Sequence, residues 1–250
     1  MIRQALENRF LISGHRGYSA KYPENTLLSF AQAIELGVDM LELDLHLSRD
    51  GVIMLMHDAT LERTTNGSGP LSDYTCSELK ALDAGGWKGA CFEGLKIPTF
   101  EEFCTLVKPH STILCSVEIK PAADDIACLD AAVAMTNAFG ITDRCVFTSF
   151  DAAVTDHIHD TYGLPNLGYW DKYMTNVQPE SGDKLWSVGV PMVDVNPEHI
   201  AMWRARGIWP CAFCADTDEQ VEQCLAAGAA MVTSNDPLPA LRITRARGMR

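Results

Sequence analysis

The sequence predicts an α/β protein of the TIM-type (β/α)8 barrel class, and three observations point there. Short apolar runs alternate with amphipathic stretches along most of the chain, the pattern of repeated strand–helix units and a parallel sheet. A length of 250 residues suits one closed barrel. A doubly wound open sheet would want a Gly-rich nucleotide loop after an early strand, and the sequence has none. Residues 1–250 therefore read as one barrel domain.

Taken in order, Phe10–Ser13 reads as the first strand, and Asn25–Leu36 as a helix led in by Pro23 and stopped by Gly37. Met40–Leu45 is a strand in which Leu41, Leu43 and Leu45 alternate with Glu42 and Asp44. Ser48-Arg49-Asp50-Gly51 reads as a tight turn, with Asp50-Gly51 as a two-residue hairpin loop into a strand at Val52–Met56. Residues 49 and 52 would then pair, setting His57 across from Asp44. Were the two strands parallel instead, His57 would end its strand beside Asp44 at the barrel mouth. The segment 59–97 breaks the rhythm. It is rich in Thr, Ser, Gly and Asp with aromatics Tyr74, Trp87 and Phe92, and reads as a capping insertion too short for its own core.

Beyond it, strands are expected at Ile113–Glu118, Cys145–Thr148, Leu167–Tyr169, Met192–Val195, Ile208–Phe213 and Met231–Thr233. Helices are expected at Ile126–Phe139, stopped by Gly140, and at Asp216–Ala227, stopped by Gly228. Arg242, Arg245, Arg247 and Arg250 mark a solvated last helix.

Hydrophobic residues make up 47% of the chain, enough for a large core. A net charge of −13 argues against nucleic acid or an anionic membrane surface as main partner. No apolar stretch reaches the roughly 18–20 residues a membrane span needs, so no stable membrane anchoring is expected. The polar Met1–Arg9 leaves no room for a signal peptide, and the expected location is cytoplasmic. Nine scattered cysteines suit a reducing compartment rather than a disulfide framework. The pair Cys211 and Cys214 falls in a predicted strand, where i and i+3 face opposite sides. It reads as two small buried residues rather than a zinc or redox pair.

Several polar residues sit where strands should end. Glu42 and Asp44, two apart, leave one strand from the same face, which points inward if the leucines pack outward. Buried carboxylates are costly unless solvated, paired or bound to metal. The plainer alternative is a pair of acids bonded to barrel arginines. Glu118 and Lys120 repeat the spacing and add a third carboxylate and a cation. His15-Arg16-Gly17 follows the first strand, with Arg16 offering a planar fork for phosphate oxygens. Three carboxylates without thiolate favour one hard divalent cation, Mg²⁺ or Ca²⁺, with Mn²⁺ also suited. His15 and His57 can share the proton traffic of breaking a P–O bond.

These same segments resemble the glycerophosphodiester phosphodiesterases. The resemblance runs through Ser13-Gly14-His15-Arg16-Gly17, Pro23-Glu24-Asn25-Thr26, Glu42-Leu43-Asp44 and Ser48-Arg49-Asp50-Gly51. It continues in order through His57-Asp58-Ala59-Thr60-Leu61, Arg63-Thr64-Thr65-Asn66-Gly67, Val117-Glu118-Ile119-Lys120 and Thr148-Ser149-Phe150-Asp151. It is dense from about residue 11 to 151 and thinner beyond. The resemblance implies a metal-dependent hydrolase of small-molecule glycerophosphodiesters that releases glycerol 3-phosphate and an alcohol. It implies His15 and His57 as acid–base residues, Glu42, Asp44 and Glu118 as metal ligands, and Arg16 and Lys120 as phosphate contacts. It also implies that the insertion caps the barrel and helps form the non-phosphate pocket. Glu24-Asn25-Thr26 reads as mainly structural, with Asn25 a contact behind the site. Near the C-terminus the family's Trp-Thr-Val-Asn becomes Trp209-Pro210-Cys211-Ala212, so Trp209 is expected to line the pocket while the polar Thr and Asn are lost. Pro210 favours an edge or bulge. Other readings are a lysophospholipase D or a cyclising phosphodiesterase on the same fold, or a non-catalytic phosphate-binding barrel. The nucleophile (the glycerol 2-hydroxyl or water) and the oligomeric state stay open.

Overall fold

The computed structural model describes residues 2–250. Its elements run α1 (Ile2–Asn8), β1 (Leu11–His15), α2 (Leu27–Leu36), β2 (Met40–Leu47), β3 (Ile53–Leu55), α3 (Cys76–Ala81), α4 (Phe100–Val107), β4 (Leu114–Ile119) and α5 (Asp125–Phe139). They continue with β5 (Cys145–Thr148), α6 (Ala152–His157), β6 (Asn166–Tyr169), β7 (Ser187–Pro191), α7 (Pro197–Ala205), β8 (Trp209–Phe213), α8 (Asp218–Ala227), β9 (Met231–Ser234) and α9 (Leu238–Ala246). Among the described residues the strands form one sheet in the order β1-β9-β8-β7-β6-β5-β4-β2-β3, and β1 also pairs with β2. All pairings are parallel except β2 with β3, so the parallel strands close into an eight-stranded barrel and β3 hangs on its side. The predicted fold class is the observed one.

Alternation along each strand builds two cores. Leu41, Leu43 and Leu45 of β2, with Cys115, Val117 and Ile119 of β4, pack outward against helix residues such as Phe100, Phe103 and Leu129. Inside, Leu11, Met40, Leu114, Val146, Leu167 and Met231 fill the lower barrel, and Ile2 and Leu6 of α1 close its floor. The inward face turns polar toward the C-terminal strand ends, where barrel sites are built. Helix ends are written locally: Thr26 caps α2, and Thr99 with Glu102 and Thr217 with Gln220 form capping boxes on α4 and α8. Gly37, Gly140 and Gly228 end α2, α5 and α8 where the sequence places them. The arginines around α9 are paired rather than merely solvated, Arg242 with Asp218, Arg247 with Glu222 and Arg250 with Asp39.

Four expectations shift. The hairpin loop has three residues, because Ser48 pairs with Val52 (N–H to O, 2.9 Å) and Gly51 takes φ 77° between them. The Ser48 hydroxyl accepts from the Val52 N–H and donates to Asp50, which builds the wider turn. The register therefore moves by one, and Met56 rather than His57 stands opposite Asp44. The strand expected at Met192–Val195 lies earlier, at Ser187–Pro191. Gly189 reads as a breaker in sequence, yet it is needed there: a Cβ would lie 2.3 Å from the Tyr169 ring. Pro210 sits inside the closed sheet. Its carbonyl accepts from Ala230 just ahead of β9, so its missing N–H falls where no ladder bond is due. Finally, the insertion does hold a small apolar cluster of Leu61, Leu71, Leu79, Ala84 and Ile97, which borrows Met54 and Met56 to complete itself. Its Lys88 donates to the Ser19 carbonyl at 2.7 Å and its Phe92 meets the Tyr22 ring, so it lies against the loop after β1.

Candidate active site

A cavity of about 230 Å³ opens at the C-terminal end of the barrel. His15, Arg16, Glu42, His57, Glu118 and Lys120 all line it. The loop after β1 is shaped to do this. Arg16 takes φ 54° and Gly17 φ 86°, and a Cβ on Gly17 would lie 2.4 Å from Ser29 Oγ. The Arg16 carbonyl accepts from Asn25 N–H and Ser29 Oγ, and its N–H donates to Glu42 Oε2 at 2.9 Å. The backbone of Arg16 is thus fastened at the barrel mouth.

Glu42 and Asp44 on β2 and Glu118 on β4 are buried, with one oxygen from each within 4.8 Å of the others. Two cations border them. Lys120 Nζ lies 2.5 Å from Glu118 Oε1 and 3.4 Å from Asp44 Oδ1, and Arg16 Nε lies 3.2 Å from Asp44 Oδ2. Asn25 Nδ2 donates to the same Asp44 Oδ2 at 2.8 Å. Burial and the charges of Asp44 and Glu118 push the Glu42 carboxyl well above the usual range. Burial also raises Asp44, but Lys120 and Arg16 outweigh it and hold that group below its ordinary value. Glu42 Oε1 and Asp44 Oδ1 are buried with no hydrogen-bond partner. Clustered carboxylates with orphaned oxygens fit a hard divalent cation, which would satisfy both atoms.

The two histidines are held by different means. His57 Nδ1 lies 2.6 Å from Asp58 Oδ1, and Arg63 Nε donates to Asp58 Oδ2 at 2.6 Å. Arg63 also donates to both oxygens of Glu24, which takes a bond from Arg16 Nη1 at 2.8 Å. His15 Nδ1 lies 2.6 Å from Asn235 Oδ1 and 3.5 Å from Cys214 Sγ. Burial opposes a charge on His15, but the Cys214 and Asn235 contacts outweigh it and raise its pKa. His57 is lowered, chiefly by burial; Asp44 pulls it upward, and Lys120 and Arg16 add to the lowering.

Trp209 is not at this site. It begins β8, so it lies at the barrel floor, where its ring meets Arg204 and the cluster around α1. The aromatic wall comes from the other strand ends: Phe150 stacks on Tyr169 at 3.6 Å between centroids, and Phe213 meets Tyr169 edge-on. No residue of 59–97 lines the cavity, so the insertion does not form the pocket wall. Its link to the site is Arg63, which bonds Asp58 behind His57 and Glu24 behind Arg16. Cys211 and Cys214 are not on opposite sides either. The strand ends at Phe213, the chain turns, and both cysteines line the cavity, with Cys214 against His15. Glu24, expected to be structural, ties Arg16 to Arg63, while the expected Asn25 contact is present. Sequence reasoning missed Asn235, Asp216 and Cys214. For Cys214 the pairing with Cys211 was a signal, set aside because both were expected inside a strand, whereas Asn235 and Asp216 offered only a place just past a predicted strand end.

The family model of the glycerophosphoryl diester phosphodiesterases matches residues 15–238. The chain belongs to that family. A glycerophosphodiester phosphodiesterase of Caldanaerobacter subterraneus is 29% identical over 249 residues, covering 95% of this chain and 99% of that one. Some other matches are partial: the chain spans 61% of one Bacillus subtilis relative and 38% of another, a glycerophosphodiester phosphodiesterase 43% identical over 112 residues. An Oleispira antarctica phosphodiesterase, solved in complex with the product sn-glycerol-3-phosphate, superposes with a TM-score of 0.87 at 24% identity, over 97% of this chain and 99% of that one. This family member therefore shares its barrel with that enzyme. No helix among the described residues is long and apolar enough to cross a membrane.

Proposed function

We propose that the protein hydrolyses glycerophosphodiesters to glycerol 3-phosphate and an alcohol, with Glu42, Asp44 and Glu118 holding a divalent cation. The observation that carries this is the convergence of three buried carboxylates, two cationic side chains and two oriented imidazoles on one cavity at the barrel mouth. The charge balance supports it. Three carboxylates against Arg16 and Lys120 leave the cleft one charge negative, which would repel a phosphodiester. With a divalent cation held there it becomes one charge positive, which a single phosphodiester neutralises. When bound, such an ion (Mg²⁺ or Ca²⁺, with Mn²⁺ also suited) supplies Lewis-acid polarisation of a phosphoryl oxygen.

The chain's own residues do the rest. Arg16 and Lys120 take the phosphate oxygens, Arg16 with a planar fork and Lys120 as a point charge. One histidine takes a proton from the nucleophile (the glycerol 2-hydroxyl or water) and the other gives one to the leaving alcohol. The aromatic wall of Phe150, Tyr169 and Phe213 borders the apolar side of the cavity.

The deciding experiment is glycerol 3-phosphate release from a panel of glycerophosphodiesters with Mg²⁺, Ca²⁺, Mn²⁺ or EDTA. Metal-dependent release abolished by EDTA is expected. No release with any metal, from folded protein, would overturn the reading. Phosphorus NMR on the same samples separates direct attack by water from a cyclic phosphate that forms first.

A further inference from the structure

The closest contact of the His15 ring is with an amide, not a carboxylate. Asn235 Oδ1 lies 2.6 Å from His15 Nδ1, and on its far side Asn235 Nδ2 donates to Asp216 Oδ2 at 2.7 Å. Asp216 is itself fixed, because its Oδ1 accepts the backbone N–H groups of Asn235 and Asp236 at 2.7 and 3.3 Å. Turning the amide round would set Asn235 Oδ1 against that carboxylate, acceptor facing acceptor. Ser19 Oγ donates to the same Oδ1 at 3.1 Å, which also favours the oxygen where it stands. Chemistry, not a choice between similar-looking atoms, turns the amide oxygen toward His15.

An oxygen acceptor at 2.6 Å requires an N–H opposite it. Cys214 Sγ, 3.5 Å from the same nitrogen, offers the competing arrangement in which a thiol donates to a bare Nδ1. That arrangement would set two lone pairs together at the shorter contact, so the amide wins. His15 Nε2 is then left without the proton of the neutral ring, and it lies on the cavity side, 3.8 Å from Glu42 Oε2. We infer that Asp216 and Asn235 are positioning residues for His15: Asp216 orients the Asn235 amide, and the amide holds the imidazole in its Nδ1–H tautomer. Nε2 is thereby the atom that exchanges protons with the substrate. The kinetic part of this inference rests on the proposed hydrolase reading, while the tautomer stands on the geometry alone. His57 obtains the same orientation from the Asp58 carboxylate, so the two imidazoles are aligned by unlike partners.

The test uses the full chain with ¹⁵N-labelled histidine. Long-range ¹H–¹⁵N spectra, with His15 assigned by the signal lost in His15→Ala, should show a protonated Nδ1 and a bare Nε2 in the wild-type protein. Asp216→Asn is nearly isosteric and frees the amide to turn. It should mix the tautomers and lower kcat about 10- to 100-fold, with KM within about twofold. The exchange Asp216→Asn with Asn235→Asp puts a carboxylate on His15 Nδ1 and an amide behind it. It should restore the Nδ1–H form and most of kcat. A wild-type His15 protonated on Nε2 would overturn the inference, as would an Asp216→Asn variant with unchanged tautomer and kcat. A wild-type protein that hydrolyses no glycerophosphodiester would instead overturn the functional reading, and the spectra would still decide the tautomer.

Discussion

His15 and His57 reach the cavity from different elements, and neither is a cation ligand in the proposed arrangement. Removing either should therefore spare phosphate binding and damage proton transfer. His15→Ala and His57→Ala are each expected to lower kcat by about 10²–10⁴-fold while KM changes little, because the lost interaction belongs to the transition state. Steady-state kinetics with cation present checks this, and near-wild-type turnover in both variants would contradict the assigned roles. At this scale the sequence was legible wherever a strand imposed a period. Glu42 with Asp44, and Glu118 with Lys120, share a face because alternate residues must. Asn235, Asp216 and Cys214 lie in loops, where no period exists; Asn235 and Cys214 meet His15, with Asp216 behind Asn235, only after closure of the barrel brings residues about 200 positions apart into contact. Trp209 shows the cost of a small offset. Four residues along a strand span roughly 13 Å, the difference between the floor of the barrel, where Trp209 sits, and the mouth, where Phe213 does.

Elements carry the next two predictions. On β7, the missing side chain of Gly189 makes room for Tyr169, whose ring stacks on Phe150 and meets Phe213 edge-on. Gly189→Ala forces a Cβ into that ring with no strain of φ to blame. It should cost about 1–3 kcal/mol of stability and raise KM as Tyr169 is pushed into the cavity. A urea midpoint and KM equal to wild type would show that the wall has slack. The same glycine explains why the strand was expected a few residues late: its reason for being there is a neighbour on β6, which local pattern does not reveal. In the insertion, Arg63 holds Asp58 and Glu24 together. Arg63 bonding keeps Asp58 below the usual carboxylate range, and in Glu24 the upward push of burial is outweighed by Arg63 and Arg16. Carboxylates with depressed folded-state pKa values contribute stability above their unfolded values, near pH 4 to 4.5, and lose it as pH falls below them. Arg63→Ala should thus cost about 1 kcal/mol at pH 7, a modest figure because its side chain is 44% exposed. Wild-type and variant melting curves should converge as pH drops below about 4. A gap independent of pH would assign Arg63 a packing role instead.

For the whole molecule, the barrel concentrates cost at one end. Its floor and outer layer are apolar and closely packed, whereas its mouth gathers three buried carboxylates in a chain already at net charge −13. Without a cation, Arg16 and Lys120 offset only part of the cost, and burial together with mutual repulsion pushes the Glu42 and Glu118 carboxyls upward. This imbalance gives the cation reading a thermodynamic signature that needs no substrate. An ion that binds the folded site and not the unfolded chain stabilises the fold by about 2.7 kcal/mol at a hundred times its Kd. For a protein of this size that is a rise in Tm of about 5–10 °C, reversed by EDTA. Glu42→Gln should move the two states in opposite directions. It relieves repulsion in the metal-free protein, so its Tm without cation should equal or exceed that of wild type, and it removes a ligand, so the rise on adding Mg²⁺, Ca²⁺ or Mn²⁺ should shrink or vanish. A substitution that merely damaged the fold would lower Tm in both conditions. Calorimetric scans of both proteins, with and without each ion, separate these outcomes. A wild-type Tm that responds to none of the three ions would leave the acidic cluster to Arg16 and Lys120 alone.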